Sequence, residues 1–513
     1  MTSDGDRPDH HRGALLVYVV VLVLAFLVAG VDLTLRVVSI VLTTVFLAYF
    51  VRHLCFAVSA SRWAELDLEA PCIGLESYLP KLAVLVACKN EELVVDGMVG
   101  ALLDLDYPPD AMTLVIVDDG SDDTTGERLD ALAARDDRLR VLHRRPGAGG
   151  GKSGALNDAL ADALGDIDAE IAVIFDADHE PDRGALRRLV RHFRDPEVGA
   201  VMGRCVIRNG VESSLASTVF IDYLSGYLVN EYGRQALFEL PAYGGANCAV
   251  SIEVLRALGG WNPHTVTEDT DLTLRVLLMG RRVRFDPTAV DFEEAVLSTH
   301  RFWKQRHRWA RGHQKCLRDY WWPVVRSPHL SVMDKVETMM FLWIYHVPVL
   351  CGIGLLLTIA RAFGIGGDGV SAPISLGVLM FAGPFAELTV GLLLGRVERR
   401  AAWMLAAFVP SFGLAIMAIT AAYIDGMWGR RYTWVKTARS GGTTTATAAP
   451  AAPTAPAGLT AVAADVAVHL APGHAGPDAG PDAGPDDGPD AGLLAVAGAG
   501  PGRSFARRDS RRR

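Results

Sequence analysis

Glu170-Ile-Ala-Val-Ile-Phe175-Asp176-Ala177-Asp178-His179 is the stretch that decides the fold. Its apolar part does not alternate with polar residues, which is the pattern of a strand buried on both faces of a parallel sheet. Two carboxylates separated by one residue follow at once. At a strand's end, Asp176 and Asp178 can share one hard cation, Mg²⁺ or Mn²⁺, because such ions take oxygen ligands and commonly include substrate phosphates among them.

Two earlier runs read the same way. Leu82–Cys88 and Thr113–Val117 are apolar, rich in β-formers and non-alternating. Helical segments are expected over Glu92–Leu103, Thr125–Arg135 and Gly154–Leu164. Strands alternating with helices imply a parallel sheet whose ligand chemistry sits at the strand carboxyl ends.

Each polar motif begins where one of these strands stops. Asp118-Asp119-Gly120-Ser121 follows the second strand, and Glu91 follows the first; their carboxylates suit the hydrogen-bonding groups of a uracil ring and its ribose, although Asp and Gly also make ordinary turns. Gly149-Gly150-Gly151-Lys152-Ser153-Gly154 opens a helix, where glycines let the backbone approach phosphate and Lys152 can reach a diphosphate. It lacks the full G-x-x-x-x-G-K-[ST] spacing, which sets aside an ATPase. Thr267-Glu268-Asp269 reads both as a helix start, with Thr267 as N-cap, and as the source of a base, Asp269, for an acceptor hydroxyl. In Gln305-Arg306-His307-Arg308-Trp309, Arg308 can clamp a diphosphate and Trp309 offers a flat face to a sugar ring.

The flanks are apolar. Ala14–Gly30 and Leu33–Val51 each approach the ~20 residues of one bilayer crossing and suggest a helical hairpin turning near Asp32. Arg7, Arg12, Arg52 and Arg62 place both hairpin ends in the cytoplasm by the positive-inside rule. His300–Trp322 is basic and aromatic, as at a membrane–water interface. Met339–Ala360, Ile374–Leu394 and Ala401–Ile424 are three further apolar stretches, and Pro410 predicts a bent or re-entrant course for the third. The expected organisation is a cytoplasmic tail over 1–13, two transmembrane helices over 14–52, a cytoplasmic domain over 72–295, interfacial helices over 296–335, a C-terminal transmembrane region over 337–428, and a disordered low-complexity tail over 440–513 in which Gly-Pro-Asp recurs. A net charge of -9 argues against a nucleic-acid binder. Seven cysteines without a C-x-x-C pair argue against a disulfide framework or zinc site and fit a reducing compartment.

Taken in order, these motifs resemble the processive family 2 glycosyltransferases, the group of cellulose, hyaluronan and poly-N-acetylglucosamine synthases. Gly259-Gly260-Trp261 and the Gln-Arg-x-Arg-Trp-Ala-Arg-Gly form of Gln305–Gly312 look most like the poly-β-1,6-N-acetylglucosamine synthases. The resemblance implies an α/β GT-A domain, a Rossmann-like mixed sheet, inserted between the transmembrane helices of an integral membrane protein. It implies Mg²⁺ or Mn²⁺ on Asp176 and Asp178, and Asp269 as the catalytic base. Glu91, Asp118, Asp119, Lys152 and Asp176 would bind the nucleotide-sugar, and Glu268, Gln305, Arg308 and Trp309 would serve the acceptor and diphosphate. The implied reaction is inverting polymerisation of a β-linked polysaccharide from a UDP-sugar, with UDP-GlcNAc first. Another nucleotide-sugar, or single transfer to a lipid carrier, is the alternative. Implied partners are the growing glycan, the bilayer of the plasma membrane and accessory membrane or export subunits.

Overall fold

The computed structural model describes residues 9–67, 78–163, 168–363, 373–397 and 403–430. The expected tails over 1–13 (up to residue 8) and 440–513 lie outside the described residues.

An eight-stranded mixed sheet forms the centre, in the order β3-β2-β1-β4-β7-β6-β8-β5. Its strands are β1 (Leu82–Cys88), β2 (Met112–Asp118), β3 (Leu139–His143), β4 (Ile171–Asp176), β5 (Glu180–Pro181), β6 (Val198–Ile207), β7 (Cys248–Ser251) and β8 (Arg282–Glu293). β1 is central and runs parallel to both β2 and β4, β3 runs parallel to β2, and β7 is antiparallel to β4 and β6. β1, β2 and β4 match the sequence expectation, whereas β3 is a strand that the sequence reading did not foresee. The other half of the sheet is mixed: β6 and β8 run parallel to each other, β7 is antiparallel to its neighbours, and β5 is antiparallel to β8. β7 is four residues long and β8 carries charges at alternate positions, so neither reads as an apolar run.

Why the apolar runs become strands is visible in their packing. Alternate residues point to opposite faces. Ala83, Leu85, Val115, Val117, Ala172 and Ile174 join one core cluster, while Leu82, Val84, Val86, Leu114, Ile116 and Val173 join the other. Both faces are therefore dry. Register then levels the strand ends: Ala87 pairs with Val117 and with Asp176, and Cys88 pairs with Asp118. This alignment is what brings motifs from distant parts of the chain to one edge.

The helices are α1 (Asp9–Asp67), α2 (Val95–Leu103), α3 (Thr125–Ala133), α4 (Gly151–Asp158), α5 (Ala185–Val190), α6 (Ser214–Ser225), α7 (Tyr232–Phe238), α8 (Ile252–Ala257), α9 (Glu268–Leu278), α10 (Thr299–Arg326), α11 (Val332–Trp343), α12 (Val347–Ala362), α13 (Pro373–Leu394) and α14 (Trp403–Met427). α1 is broken at Gly30, whose φ of 75° and ψ of 165° suit glycine, close to the turn expected near Asp32. Beyond the break the helix does not stop at residue 52. It runs on to Asp67, and Phe56, Ala57 and Ala60 pack against Met202, Tyr232 and Phe285. Gly233 permits this approach, since a Cβ there would lie 2.8 Å from the Cβ of Phe56.

Leu33–Ser61 and Trp403–Met427 are each long and apolar enough to cross a membrane. The bend falls elsewhere than Pro410 suggested. α11 and α12 meet at 64°, whereas α14 continues through Pro410 as one helix. Near the proline, the Ser411 hydroxyl donates to the Ala407 carbonyl at 3.2 Å, and the Thr218 hydroxyl, which donates to the Ser214 carbonyl at 3.0 Å, lies 3.3 Å from the same Ala407 oxygen.

Candidate active site

A cleft of about 650 Å³ opens at the carboxyl ends of β1 and β4. Glu91, Asp119, Lys152, Asp176, Asp178, Glu268, Asp269, Gln305, Arg308 and Trp309 all line it. Of the side chains expected to act in catalysis, metal binding or donor and acceptor binding, Asp118 alone is not on the cleft wall. It ends β2 facing inward, where its Oδ1 accepts the Ser121 amide at 3.0 Å and its Oδ2 lies 3.0 Å from His143 Nδ1. It holds the turn that presents Asp119. Gly120 makes that turn possible with a φ of 66°, because a Cβ there would sit 2.8 Å from the Pro146 Cα.

Arg144 is a member the sequence reading missed. It follows β3 and ion-pairs with Asp119, reaches Asp158 at 2.6 Å, and donates to the Gly149 carbonyl at 2.9 Å. One guanidinium thus ties the second strand's motif to the glycine-rich loop. In that loop Gly149, Gly150 and Gly151 all take positive φ, and Lys152 emerges in the first turn of α4. Its ammonium ion-pairs with Asp176 and donates to the Gly245 carbonyl. Burial pulls Lys152 down, but the charges of Asp176 and Glu268 outweigh it and hold the ammonium above its ordinary range.

The Asp176–His179 turn fits a divalent cation. One ligand atom each from Asp176, Asp178 and His179 lies within 4.8 Å of the others. His179 differs in role from the carboxylates. Its Nδ1 lies 2.5 Å from Asp291 Oδ2 and its Nε2 lies 2.9 Å from Glu293 Oε2. Burial opposes its charge, yet Asp291 overrides that and keeps the imidazole protonated well above its ordinary value. A hard cation held at this turn would draw on carboxylate oxygens, which here are those of Asp176 and Asp178. Asp291 and Glu293 close β8. The alternation Arg282-Val283-Arg284-Phe285 was the signal for that strand.

Glu268 and Asp269 occupy the first turn of α9, where backbone N–H groups favour anions. Thr267 holds the N-cap position, but its hydroxyl does not cap; it faces Cys316 Sγ at 3.7 Å. Asp269 Oδ1 accepts the Thr270 amide at 2.6 Å, and its Oδ2 would be 3.4 Å from a Cβ on Gly245. Burial pushes both carboxyls above their ordinary range, the charge of Asp269 adds to this at Glu268, and Lys152 and Arg308 pull both back. A protonated form stabilised by burial contributes folding stability below the ordinary carboxylate pKa, and that contribution fades as pH rises through the raised value. For a base the consequence is opposite: it works only once deprotonated. The acid limb of the pH–rate profile is therefore expected above the ordinary Asp value of about 3.9. A limb at or below that value would show that Asp269 is not the group being titrated.

α10 supplies the remaining wall. Arg308 donates to the Val266 carbonyl at 3.4 Å, and Gln305 Oε1 is buried with no hydrogen-bond partner among the described residues. Arg306 stacks 4.8 Å from the Trp309 ring and pairs with Asp222 at 2.6 Å. Gly312 sets how close α10 lies to the Glu268–Asp269 turn, since a Cβ there would fall 2.3 Å from Thr267 Cγ2. Gly312→Ala is expected to cost about 1–3 kcal/mol through overpacking and to depress activity along with it. Thermal unfolding beside turnover measures both; an unshifted melting temperature would count against this packing.

The Glycosyl transferase family 2 model matches residues 83–259. A Beta-monoglucosyldiacylglycerol synthase of Trichormus variabilis is 32% identical over 381 residues, 72% of this chain and 78% of the relative. A Poly-beta-1,6-N-acetyl-D-glucosamine synthase of Staphylococcus epidermidis is 28% identical over 285 residues, 55% of this chain and 66% of the relative. Two further curated relatives are matched over only 60% and 54% of their own length. Among solved structures, the mannosyltransferase PcManGT of Pyrobaculum calidifontis, in complex with GDP-Man and Mn²⁺, superposes with a TM-score of 0.53 at 22% identity, covering 77% of this chain and 100% of that one. That likeness carries the fold, a GT-A-like mixed sheet. With a curated relative aligned over most of both chains, and with its motifs gathered at one edge of the sheet, this chain belongs to glycosyl transferase family 2, a family of transferases.

Proposed function

We propose that this chain is a membrane-embedded, metal-dependent, inverting transferase that moves one hexosyl unit at a time from a nucleoside diphosphate sugar to an acceptor hydroxyl. The observation that carries the reading is the meeting of Asp176, Asp178, Lys152, Asp269 and Arg308 around one cleft. Glu91 and Asp119 take the nucleoside. Asp176 and Asp178 hold Mg²⁺ or Mn²⁺, which when bound offsets charge on the diphosphate. Arg308 and Lys152 add fixed positive charge there. Asp269 accepts the acceptor's hydroxyl proton as that oxygen bonds the anomeric carbon, and the carbon–oxygen bond to the diphosphate breaks on the opposite face. A single displacement inverts the centre, and the nucleoside diphosphate leaves with the bonding pair. Leu33–Ser61, Trp403–Met427 and the bent pair α11–α12 anchor the cleft at the cytoplasmic face of the membrane.

Two acceptors deserve separate tests. Gln305, Arg308 and Trp309 on the cleft wall favour a glycan end, as in polymer synthesis. The longer match to a relative named for a glucosylated diacylglycerol favours a lipid hydroxyl. The metal is tested first. Chelation of purified enzyme is expected to abolish transfer and Mn²⁺ to restore it, with Asp178→Asn raising the Mn²⁺ requirement by at least the roughly 10–100-fold seen when residues behind a metal ligand are replaced. Full turnover in excess chelator would remove the metal from the mechanism.

A further inference from the structure

A second cavity, of about 280 Å³, lies among α1, α6, α10, α12, α13 and α14. Phe46, Phe50, Phe302, Leu388, Phe408 and Ile419 are among its lining. It adjoins the catalytic cleft, because Asp222, Gly226, Asn230, Ile344 and Tyr345 line both. At this shared neck a polar group is built from three elements. Asn230 Nδ2 donates to Glu387 Oε2 at 2.7 Å, Asn230 Oδ1 accepts from Arg52 at 3.3 Å, and His53 Nδ1 lies 2.7 Å from Glu387 Oε1. The Glu387 side chain is only 5% exposed. Such burial of a carboxylate is costly unless partners compensate it.

From cleft to cavity the lining shifts toward apolar: charged groups (Asp269, Arg308) fill the cleft, Asn230, His53, Glu387 and the Asp222–Arg306 pair stand at the neck, and beyond it Phe, Leu and Ile side chains predominate, with Thr218 and Ser411 among the polar exceptions. A hydrated glycan passed along this route would leave most of its hydroxyls unmatched in the apolar chamber, at a cost for each. A molecule with one hydroxylated head and a hydrocarbon tail matches every zone. The helices around the chamber also carry apolar side chains outward, at Leu47, Val51, Leu54 and Met417, so the surrounding medium is the source of such a molecule.

We propose that this cavity seats the hydrocarbon chain of a lipid acceptor, and that Asn230, Glu387 and His53 hold its polar head so that the hydroxyl points to Asp269. The assignment rests on the transferase reading of the cleft and names the acceptor class for it. No polymer-conducting passage is required.

The test uses full-length enzyme in phosphatidylcholine nanodiscs, Mn²⁺ and whichever of UDP-GlcNAc, UDP-glucose, UDP-glucuronate or GDP-mannose the wild type consumes. Acceptor probes are 1,2-dioleoylglycerol and chitotetraose. The wild type is expected to glycosylate dioleoylglycerol in preference. Ala415→Phe, which projects bulk from α14 into the cavity, should raise the KM for dioleoylglycerol about tenfold, the loss expected when a filled site is overpacked. Met417→Phe, on the outer face of the same helix, should leave it unchanged. A diacylglycerol with a diazirine in its acyl chain should crosslink wild-type protein at cavity residues, which keeps the test decisive if Ala415→Phe folds poorly. Extension of chitotetraose with dioleoylglycerol ignored, an unmoved KM in folded Ala415→Phe, or crosslinks confined to the outer surface would overturn the proposal. Consumption of no donor at all would instead overturn the transferase reading, and the lipid assignment with it.

Discussion

Asp269→Asn is expected to lower the turnover of glycosyl transfer by roughly 10³-fold, within the range that a positioned base contributes. Asparagine keeps the shape of the side chain and can still face the Thr270 amide, so the α9 turn should survive. What it loses is the ability to take a proton. Nucleotide affinity should stay within about twofold, because the proposed donor-binding residues Glu91, Asp119 and Lys152 lie on other elements, and such a split assigns the loss to the transition state. Single-turnover kinetics beside titration with the nucleoside diphosphate measures the two separately. Wild-type turnover in the variant would mean that the proton leaves by another route, with Glu268 the neighbouring carboxylate to test next.

The second large effect concerns folding. Glu337, on α11, is 3% exposed and faces two guanidiniums. Arg52 binds it in a bidentate manner, at 3.0 and 2.8 Å, and Arg234 Nε approaches at 3.2 Å. The rings of Phe56 and Phe341 cover the two arginines at 4.3 and 4.0 Å. These residues come from α1, α7 and α11, so the cluster fastens the long N-terminal helix to the sheet domain and to the C-terminal helices. Glu337→Ala removes the carboxylate that two buried cations share, leaving Arg234 with Glu231 at 3.7 Å and Arg52 with Asn230 Oδ1 at 3.3 Å, and breaking a buried pair costs up to about 3–5 kcal/mol. A drop of several degrees in the melting temperature of the detergent-solubilised protein is the expected result. Replacing the whole group by apolar residues of similar volume should recover much of the loss, because the desolvation penalty disappears along with the attraction. An unchanged melting temperature in Glu337→Ala would mean that water reaches the arginines.

What the sequence revealed follows from how local its signals were. β1, β2 and β4 are buried on both faces, so composition alone marks them. The carboxylates after them stand in the cleft because parallel register levels their strand ends, and that is foreseeable from the alternation of strand and helix. Asp118 and Asp119 show the limit. Neighbours on an extended strand point to opposite sides, but which one meets the cleft depends on β3 and on His143, far along the chain. Arg144 was invisible for the same reason, since nothing near it in sequence says that it will join Asp119 to Gly149. β7 and β8 escaped notice because β8 is half charged and β7 is short. The bend at α11–α12 was missed in favour of Pro410, through which α14 continues as one helix.

The central claim is that the cleft transfers a hexosyl unit from a nucleoside diphosphate sugar in a single displacement. The most direct measurement presents UDP-GlcNAc, UDP-glucose, UDP-glucuronate and GDP-mannose to the purified, bilayer-reconstituted protein with Mn²⁺, and follows nucleotide release and the anomeric proton of the product by NMR. One donor is expected to be consumed, with nucleoside diphosphate and transferred sugar appearing in equal amounts and an α-linked donor yielding a β-linked product. A folded, nucleotide-binding protein that consumes none of them, or a product that keeps the donor's configuration, would contradict it.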